Sequence, residues 1–141
     1  LLLLILSFSV KPIWEAIQSG NNLSNDQILG IGILMVVMVF FVLIKLTTKV
    51  TNEGIYVQFF PIHLKPKFYS WDRISQMEVK KYSPLLDYGG WGVRFGRIGK
   101  AYNVKGNKGL QLVLKNGDGL MIGTQKEEEL KRVIQEIQSN R

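Results

Sequence analysis

Residues 28–44 read ILGIGILMVVMVFFVLI and contain no charged side chain. At about 1.5 Å per residue, a helix from Ile28 to Leu46 is roughly 28 Å long, close to the ~30 Å hydrocarbon core of a bilayer. Such a helix is apolar on every face, and a soluble protein would need a larger body than this chain of 141 residues to bury it. The stretch therefore predicts a transmembrane helix over about residues 27–46.

The residues before this helix contain a second apolar run. Residues 1–10, LLLLILSFSV, are about 15 Å long as a helix, which is too short to cross a bilayer. They are either the end of a first transmembrane helix whose beginning is absent or the core of a signal peptide. A signal peptide should be followed by small residues at a cleavage site, whereas KPIWE follows at 11–15. We therefore favour a truncated first span, which makes residues 1–47 a transmembrane hairpin with Trp14 as an interfacial anchor.

Two local patterns describe how the second helix begins and how it is oriented. Ser24 and Gln27 fit a capping box, in which each side chain binds a backbone N–H group at the start of a helix. Lys45 and Lys49 follow the apolar stretch. The positive-inside rule then places the domain that they introduce in the cytoplasm.

The net charge and the absence of cysteine limit the classes of partner and of chemical site that the sequence allows. The chain has 18 Lys and Arg against 11 Asp and Glu, a net charge of +7. The charges before residue 48 cancel, so the surplus lies in residues 48–141. A basic domain beside a membrane is attracted to anionic lipid headgroups, whereas nothing in the sequence resembles a nucleic-acid-binding motif. The absence of cysteine excludes disulfides, thiolate zinc sites and cysteine nucleophiles.

Beyond residue 47 the apolar residues recur with a period of two, which indicates β-strands. The best-patterned strands contain Ile55, Val57 and Phe59, and then Leu110, Leu112 and Leu114. A helix is predicted over about residues 125–138, with Thr124 and Glu127 as its capping box. Its apolar stripe comprises Leu130, Val133, Ile134 and Ile137.

About seven strands followed by one amphipathic helix is the element order of a pleckstrin-homology-like (PH-like) barrel. The predicted fold class is therefore a membrane-anchored α+β protein. Residues 1–47 form the transmembrane hairpin, and residues 48–141 form a PH-like seven-stranded open β-barrel with a C-terminal capping helix.

Three motifs carry a resemblance to a known family: YSPLLDYGGWGVR at 82–94, KAYNV at 100–104 and LMIGTQ at 120–125. They resemble an uncharacterised family of small bacterial membrane proteins with two transmembrane helices and a cytoplasmic PH-like domain. The resemblance implies a multi-pass protein of the bacterial cytoplasmic membrane with its C-terminal domain in the cytoplasm. It implies no activity, because a fold does not by itself confer a function.

The residues that could support catalysis do not form a recognisable set. His63 is the single histidine, and no acidic residue lies nearer in sequence than Glu53 or Asp72. The acidic run at 127–129 is explained by the positive end of a helix dipole. No phosphate-loop pattern is present. The sequence therefore predicts a protein that is not an enzyme and holds no cofactor or metal.

Aromatic and basic residues in the glycine-rich part of the domain suggest a binding site. Tyr88, Trp91, Arg94 and Tyr102 are predicted to line or border a protein partner, since such residues anchor interfaces. Alternatively, Tyr88 and Trp91 fill the open end of the barrel.

Three cations near these aromatic residues are predicted to add steering charge, namely Lys81, Arg97 and Lys100. Glu53 lies in the first hairpin turn, where phosphoinositide-binding PH domains have a basic clamp, so a specific inositide pocket is not expected there. The predicted function is a membrane-tethered module that binds a protein or is a subunit of a membrane assembly. The alternative is a binder or sensor of anionic headgroups.

Overall fold

A computed structural model describes residues 2–20 and 22–140, with side chains from residue 10 onwards. The chain divides into two compact units, Leu1–Leu43 and Ile44–Arg141. The first contains α1 (Leu2–Ser19) and α2 (Asn25–Leu43). The second contains β1 (Lys45–Val50), β2 (Gly54–Phe60), β3 (Lys67–Ser70), β4 (Ile74–Lys81), α3 (Pro84–Tyr88), β5 (Gly92–Gly96), β6 (Gly99–Asn103), β7 (Lys108–Leu114), β8 (Gly119–Gly123) and α4 (Glu127–Ser139).

The start of α2 confirms the predicted capping box. The Ser24 backbone N–H donates to Gln27 Oε1 at 2.9 Å, and the Gln27 N–H donates to Ser24 Oγ at 3.3 Å. None of the α2 side chains is buried. Among the described residues, α2 is the one helix that is long and apolar enough to cross a membrane. α2 ends at Leu43, earlier than predicted, because the chain from Lys45 onwards pairs with β2.

The strands of the second unit form two sheets. One has the order β1-β2-β3, and the other has the order β4-β7-β8-β6-β5. Neighbouring strands are antiparallel except β6 and β8, which are parallel. The described part of the chain therefore contains eight strands, and the predicted number of seven is wrong. The sheets do not close into a barrel.

One apolar core joins the two sheets and α4. The alternation predicted for β2 is confirmed, because Ile55, Val57 and Phe59 are all buried. The same holds for the three leucines of β7. Ile134 of α4 lies in this core, and Leu130 and Ile137 pack against it.

The predicted capping box of α4 is not formed. Thr124 Oγ1 accepts a hydrogen bond from the Lys126 backbone N–H at 3.0 Å, which makes a tight turn before the helix. The Glu127 carboxylate forms ion pairs with Lys108 and with Lys131. These cations lower the pKa of Glu127 and leave its side chain away from the backbone. As a result, α4 begins at Glu127 rather than near residue 125.

Candidate functional site

The glycine-rich segment that follows β4 covers the outer face of the five-stranded sheet. Tyr102 and Ile122 are register partners that face the main core, so their neighbours Ala101 and Met121 point to the opposite face. There Ala101 and Met121 form a second buried cluster with Tyr82 and Tyr88. The glycine-aromatic motif therefore builds a second small core.

Polar contacts hold this second core in place. The rings of Tyr82 and Tyr88 meet edge to face, with centroids 5.9 Å apart. Asn103 is fully buried, and its Nδ2 donates to the Tyr82 hydroxyl oxygen at 2.9 Å while its Oδ1 accepts from the Gly92 N–H at 2.8 Å. Burial raises the pKa of both tyrosines, so both hydroxyl groups remain neutral at physiological pH.

Two glycines permit α3 to pack closely against β5. Gly89 ends α3 in the left-handed conformation, with φ of 69°. A Cβ atom at Gly96 would overlap the Asp87 carbonyl oxygen and the Tyr88 ring. Ser83 caps the start of α3, because its side-chain oxygen accepts a hydrogen bond from the Leu86 N–H at 3.4 Å.

The structure corrects the predicted role of Tyr88 and Tyr102. Tyr88 is 5% exposed and Tyr102 is 0% exposed, so neither side chain is available to a partner. Tyr88 is buried because α3 packs it on the outer face, and Tyr102 because β6 directs it into the main core. The alternative prediction placed Tyr88 and Trp91 in the open end of a barrel, whereas Tyr88 lies in the second buried cluster on the outer face of the five-stranded sheet.

Tyr102 instead joins the β2–β3 connection to β6. Its hydroxyl oxygen accepts from Lys67 Nζ at 3.2 Å, and it also bonds to the Tyr69 hydroxyl. Burial, together with Tyr102, raises the pKa of Tyr69 to about 12. The ring of His63 lies edge-on to Tyr102, with centroids 5.0 Å apart. These contacts make Tyr102 a structural residue.

Trp91 and Arg94 are both exposed, which a position at a partner surface requires. Trp91 Nε1 donates to the Gly106 carbonyl oxygen at 3.1 Å, and Arg94 Nε donates to the Trp91 carbonyl oxygen at 3.0 Å. Arg94 therefore steadies the turn that presents Trp91, and its own side chain is exposed.

Two accessible residues in this region were not predicted. Leu85 is 62% exposed and Leu86 is 88% exposed, both on α3. Sequence reasoning missed them because residues 84–88 were not recognised as a helix. The Ser83-Pro84 start and the Gly89 end are the signals that could have identified it.

The predicted steering cations do not form one group. Lys81 is the last residue of β4 and pairs with Lys108. Arg97 lies in the β5–β6 turn, between Gly96 and Gly99, at the other end of the sheet. Lys100 Nζ lies 4.9 Å from the centroid of the Phe95 ring. Lys81 therefore acts on a different surface from the other two.

Among the described residues, the Nδ1 atom of His63 is a buried side-chain nitrogen without a hydrogen-bond partner. Burial lowers its pKa, and the nearby Lys67 and Lys100 add to the effect. Within residues 2–20 and 22–140, no three His, Asp or Glu residues gather as a metal site would require.

Comparison with known proteins identified no relative of this chain. No family model, no curated protein and no solved structure matches the chain.

Proposed function

We propose that this protein is a non-enzymatic, membrane-tethered module that binds a protein partner through the surface of α3. This α3 surface comprises Leu85, Leu86, Trp91 and Arg94. The proposal takes α2 as a transmembrane helix, α1 as part of a first span, and residues 44–140 as a PH-like domain in the cytoplasm of a bacterium. Two sheets around one core, with a C-terminal helix against it, support the PH-like assignment. The parallel β6–β8 pair departs from a plain succession of hairpins, so the assignment concerns the broad arrangement.

The exposure of Leu86 is the observation that carries the proposal. At 88% exposed, it places nearly a whole leucine side chain in water on a helix whose other side is fixed. Tyr88 and Pro84 anchor that other side in the protein interior. Burying a leucine is worth about 1.5–3 kcal/mol, so a partner that covers Leu86 gains affinity without having to order the site. Apolar side chains on a rigid irregular segment are typical of binding surfaces.

The partner's chemistry follows from the same four residues. Two leucines and an indole ring require an apolar surface, and the guanidinium of Arg94, whose Nε donates to the Trp91 carbonyl oxygen, favours a carboxylate. We therefore expect a protein segment with apolar residues next to an acidic one.

Photo-crosslinking in native membranes tests the proposal. A photoreactive amino acid replaces Leu86 in the full-length chain, and a matched control carries it at Gln135, which is exposed on α4. We expect a protein adduct from position 86 and none from position 135. Adducts with lipid alone would favour the headgroup-binding alternative, and equal protein adducts at both positions would contradict the proposed surface.

Substitution then measures the contribution of the site. Leu86→Ser should weaken capture of the crosslinked partner by about tenfold, because roughly 1.4 kcal/mol of apolar burial is lost. Glu136→Arg, an exposed change on α4, should leave capture unchanged. If Glu136→Arg abolished capture while Leu86→Ser preserved it, the partner would bind α4 instead.

A further inference from the structure

A cavity at the start of β1 combines several lysines with two threonines. Its volume is about 430 Å³. β1 contributes Lys45 and Thr48, the chain after β6 contributes Lys105, and the connection between β8 and α4 contributes Thr124 and Lys126. None of the lining residues is acidic.

The three lysines differ in whether a carboxylate engages them within the described part of the chain. Lys126 Nζ forms an ion pair with Glu129 at 2.9 Å, which reduces its contribution. Lys45 and Lys105 form no ion pair within the described part of the chain. Ammonium groups and hydroxyl groups around one cavity are suited to the oxygen atoms of a phosphate group.

The short connection to α2 restricts where Lys45 lies relative to a bilayer. α2 ends at Leu43, and β1 begins at Lys45, so only Ile44 separates them. Each residue extends the chain by at most ~3.6 Å, and the headgroup region adds roughly 5–7 Å on each side of the hydrocarbon core. If α2 spans the membrane, Lys45 must therefore lie at the depth of the lipid phosphates.

The β2–β3 loop (residues 61–66) provides an independent observation at the same end of the three-stranded sheet. Lys45 pairs with Phe60, so this loop begins beside the start of β1. Ile62 is 52% exposed and Leu64 is 77% exposed. Gln58 Nε2 donates to the His63 and Leu64 carbonyl oxygens, both at 3.1 Å, and so fixes the loop that presents them. Exposed apolar side chains beside cations are suited to the membrane interface.

We propose that the cavity binds the phosphate of an anionic phospholipid from the bilayer that α2 crosses, while the β2–β3 loop enters the interface beside it. Lys45 and Lys105 hold the charge, and the Thr124 hydroxyl group hydrogen-bonds to a phosphate oxygen, whereas the alternation along β1 directs Thr48 to the other strand face from Lys45. The site lies at the opposite end of β1 from the first hairpin turn, where Glu53 is located. It does not depend on protein binding at the α3 surface, but it does rest on α2 spanning a membrane.

Lipid titration of the full-length chain in a nonionic detergent tests the site. Short-chain phosphatidylglycerol and phosphatidylcholine are added separately, and bound lipid is measured by native mass spectrometry. Lys45→Gln/Lys105→Gln should bind phosphatidylglycerol roughly 25-fold more weakly, since two cations at about 1 kcal/mol each amount to about 2 kcal/mol. The matched control Arg73→Gln/Lys115→Gln makes the same change in charge at two exposed positions, which lie together at the end of the sheet away from Lys81 and Lys108, and should bind within about twofold of the unmodified chain.

Each other outcome overturns a part of the proposal. Equal losses in both double variants would mean a diffuse charge effect, and equal binding of phosphatidylcholine would mean no anion site. Displacement by free glycerol phosphate at the lipid's concentration would identify a soluble phosphate as the ligand.

Photo-crosslinking tests the same cavity in native membranes. A photoreactive residue replaces Val104, which lines the cavity, in the otherwise unmodified chain and should yield a lipid adduct. A protein adduct there would assign the cavity to a polypeptide segment.

Discussion

At the scale of single residues, Tyr102 connects segments that are distant in the sequence. Its hydroxyl group lies between Lys67 and Tyr69, and its ring contacts His63. The phenol therefore attaches β3 to β6 by polar contacts inside the domain, beside the β2–β3 loop that we place at the membrane interface.

Tyr102→Phe should lower the free energy of unfolding by about 1 kcal/mol, because one set of part-buried hydrogen bonds is lost while the ring remains. Thermal or chemical unfolding of the full-length chain, followed by near-UV circular dichroism, measures the change. Tyr56→Phe serves as the control, since the Tyr56 hydroxyl has no hydrogen bond within the described residues, and its effect should be smaller. Partner capture through the α3 surface should be unaffected by Tyr102→Phe. A loss of capture at unchanged stability would restore Tyr102 to the binding site.

Tyr102 also shows why the alternation of the sequence does not indicate which side chains of β6 are exposed. Strict alternation identified Ile55, Val57 and Phe59 because one face of β2 is fully buried and the other is only partly covered. In β6 both Ala101 and Tyr102 are fully buried, since residues 82–91 cover the outer face. A period-two pattern carries no information about a strand that is buried on both sides. The exposure of an aromatic side chain in such a strand therefore could not be deduced.

At the scale of elements, α4 has the face that its sequence stripe predicts. Ile134 is 3% exposed within the core, whereas its neighbour Gln135 faces solvent. The helix packs against β4 and β7, and Gln138 Nε2 donates to the Met77 carbonyl oxygen at 3.4 Å.

Ile134→Asp should destabilise the domain by on the order of 3 kcal/mol or more, because an unpaired carboxylate would be buried in an apolar core. Gln135→Asp introduces the same group one residue further along, where water can solvate it, and should change the stability by less than about 0.5 kcal/mol. The melting temperatures of the two variants provide the measurement. Equal melting temperatures would mean that α4 does not pack through Ile134.

Long elements were predictable from the sequence. Short elements, and caps whose side chains bind other residues instead, were not. The strands with sustained alternation and the stripe of α4 agree with the structure. α3 has five residues, too few for a hydrophobic period to be seen. The α4 capping box failed because Lys108 and Lys131, one of them distant in sequence, compete for Glu127. The lysines of the cavity were equally hidden, since Lys45 and Lys105 come together only when the sheets pack.

At the scale of the whole molecule, the basic surplus predicts the side of the membrane on which the domain lies. A fluorescent protein fused to the C-terminus should fluoresce in living cells, because that end is expected in the cytoplasm. A cysteine introduced at Asn22, in a chain that has none of its own, should react with an impermeant thiol reagent in intact cells. Labelling that requires broken cells would reverse the orientation, and with it the leaflet that supplies the proposed lipid.

The position of β8 between β6 and β7 has a consequence for biosynthesis. β8 is the last strand to be made, yet it holds together two strands that were made before it. A nascent chain that ends before Gly119 has a β5–β6 hairpin and a β4–β7 pair, each with an open edge. Open edges recruit other strands, and pairings between distant segments form slowly. The domain therefore has a vulnerable interval late in translation, and a premature stop codon near its end should yield an aggregating product rather than a shortened functional one.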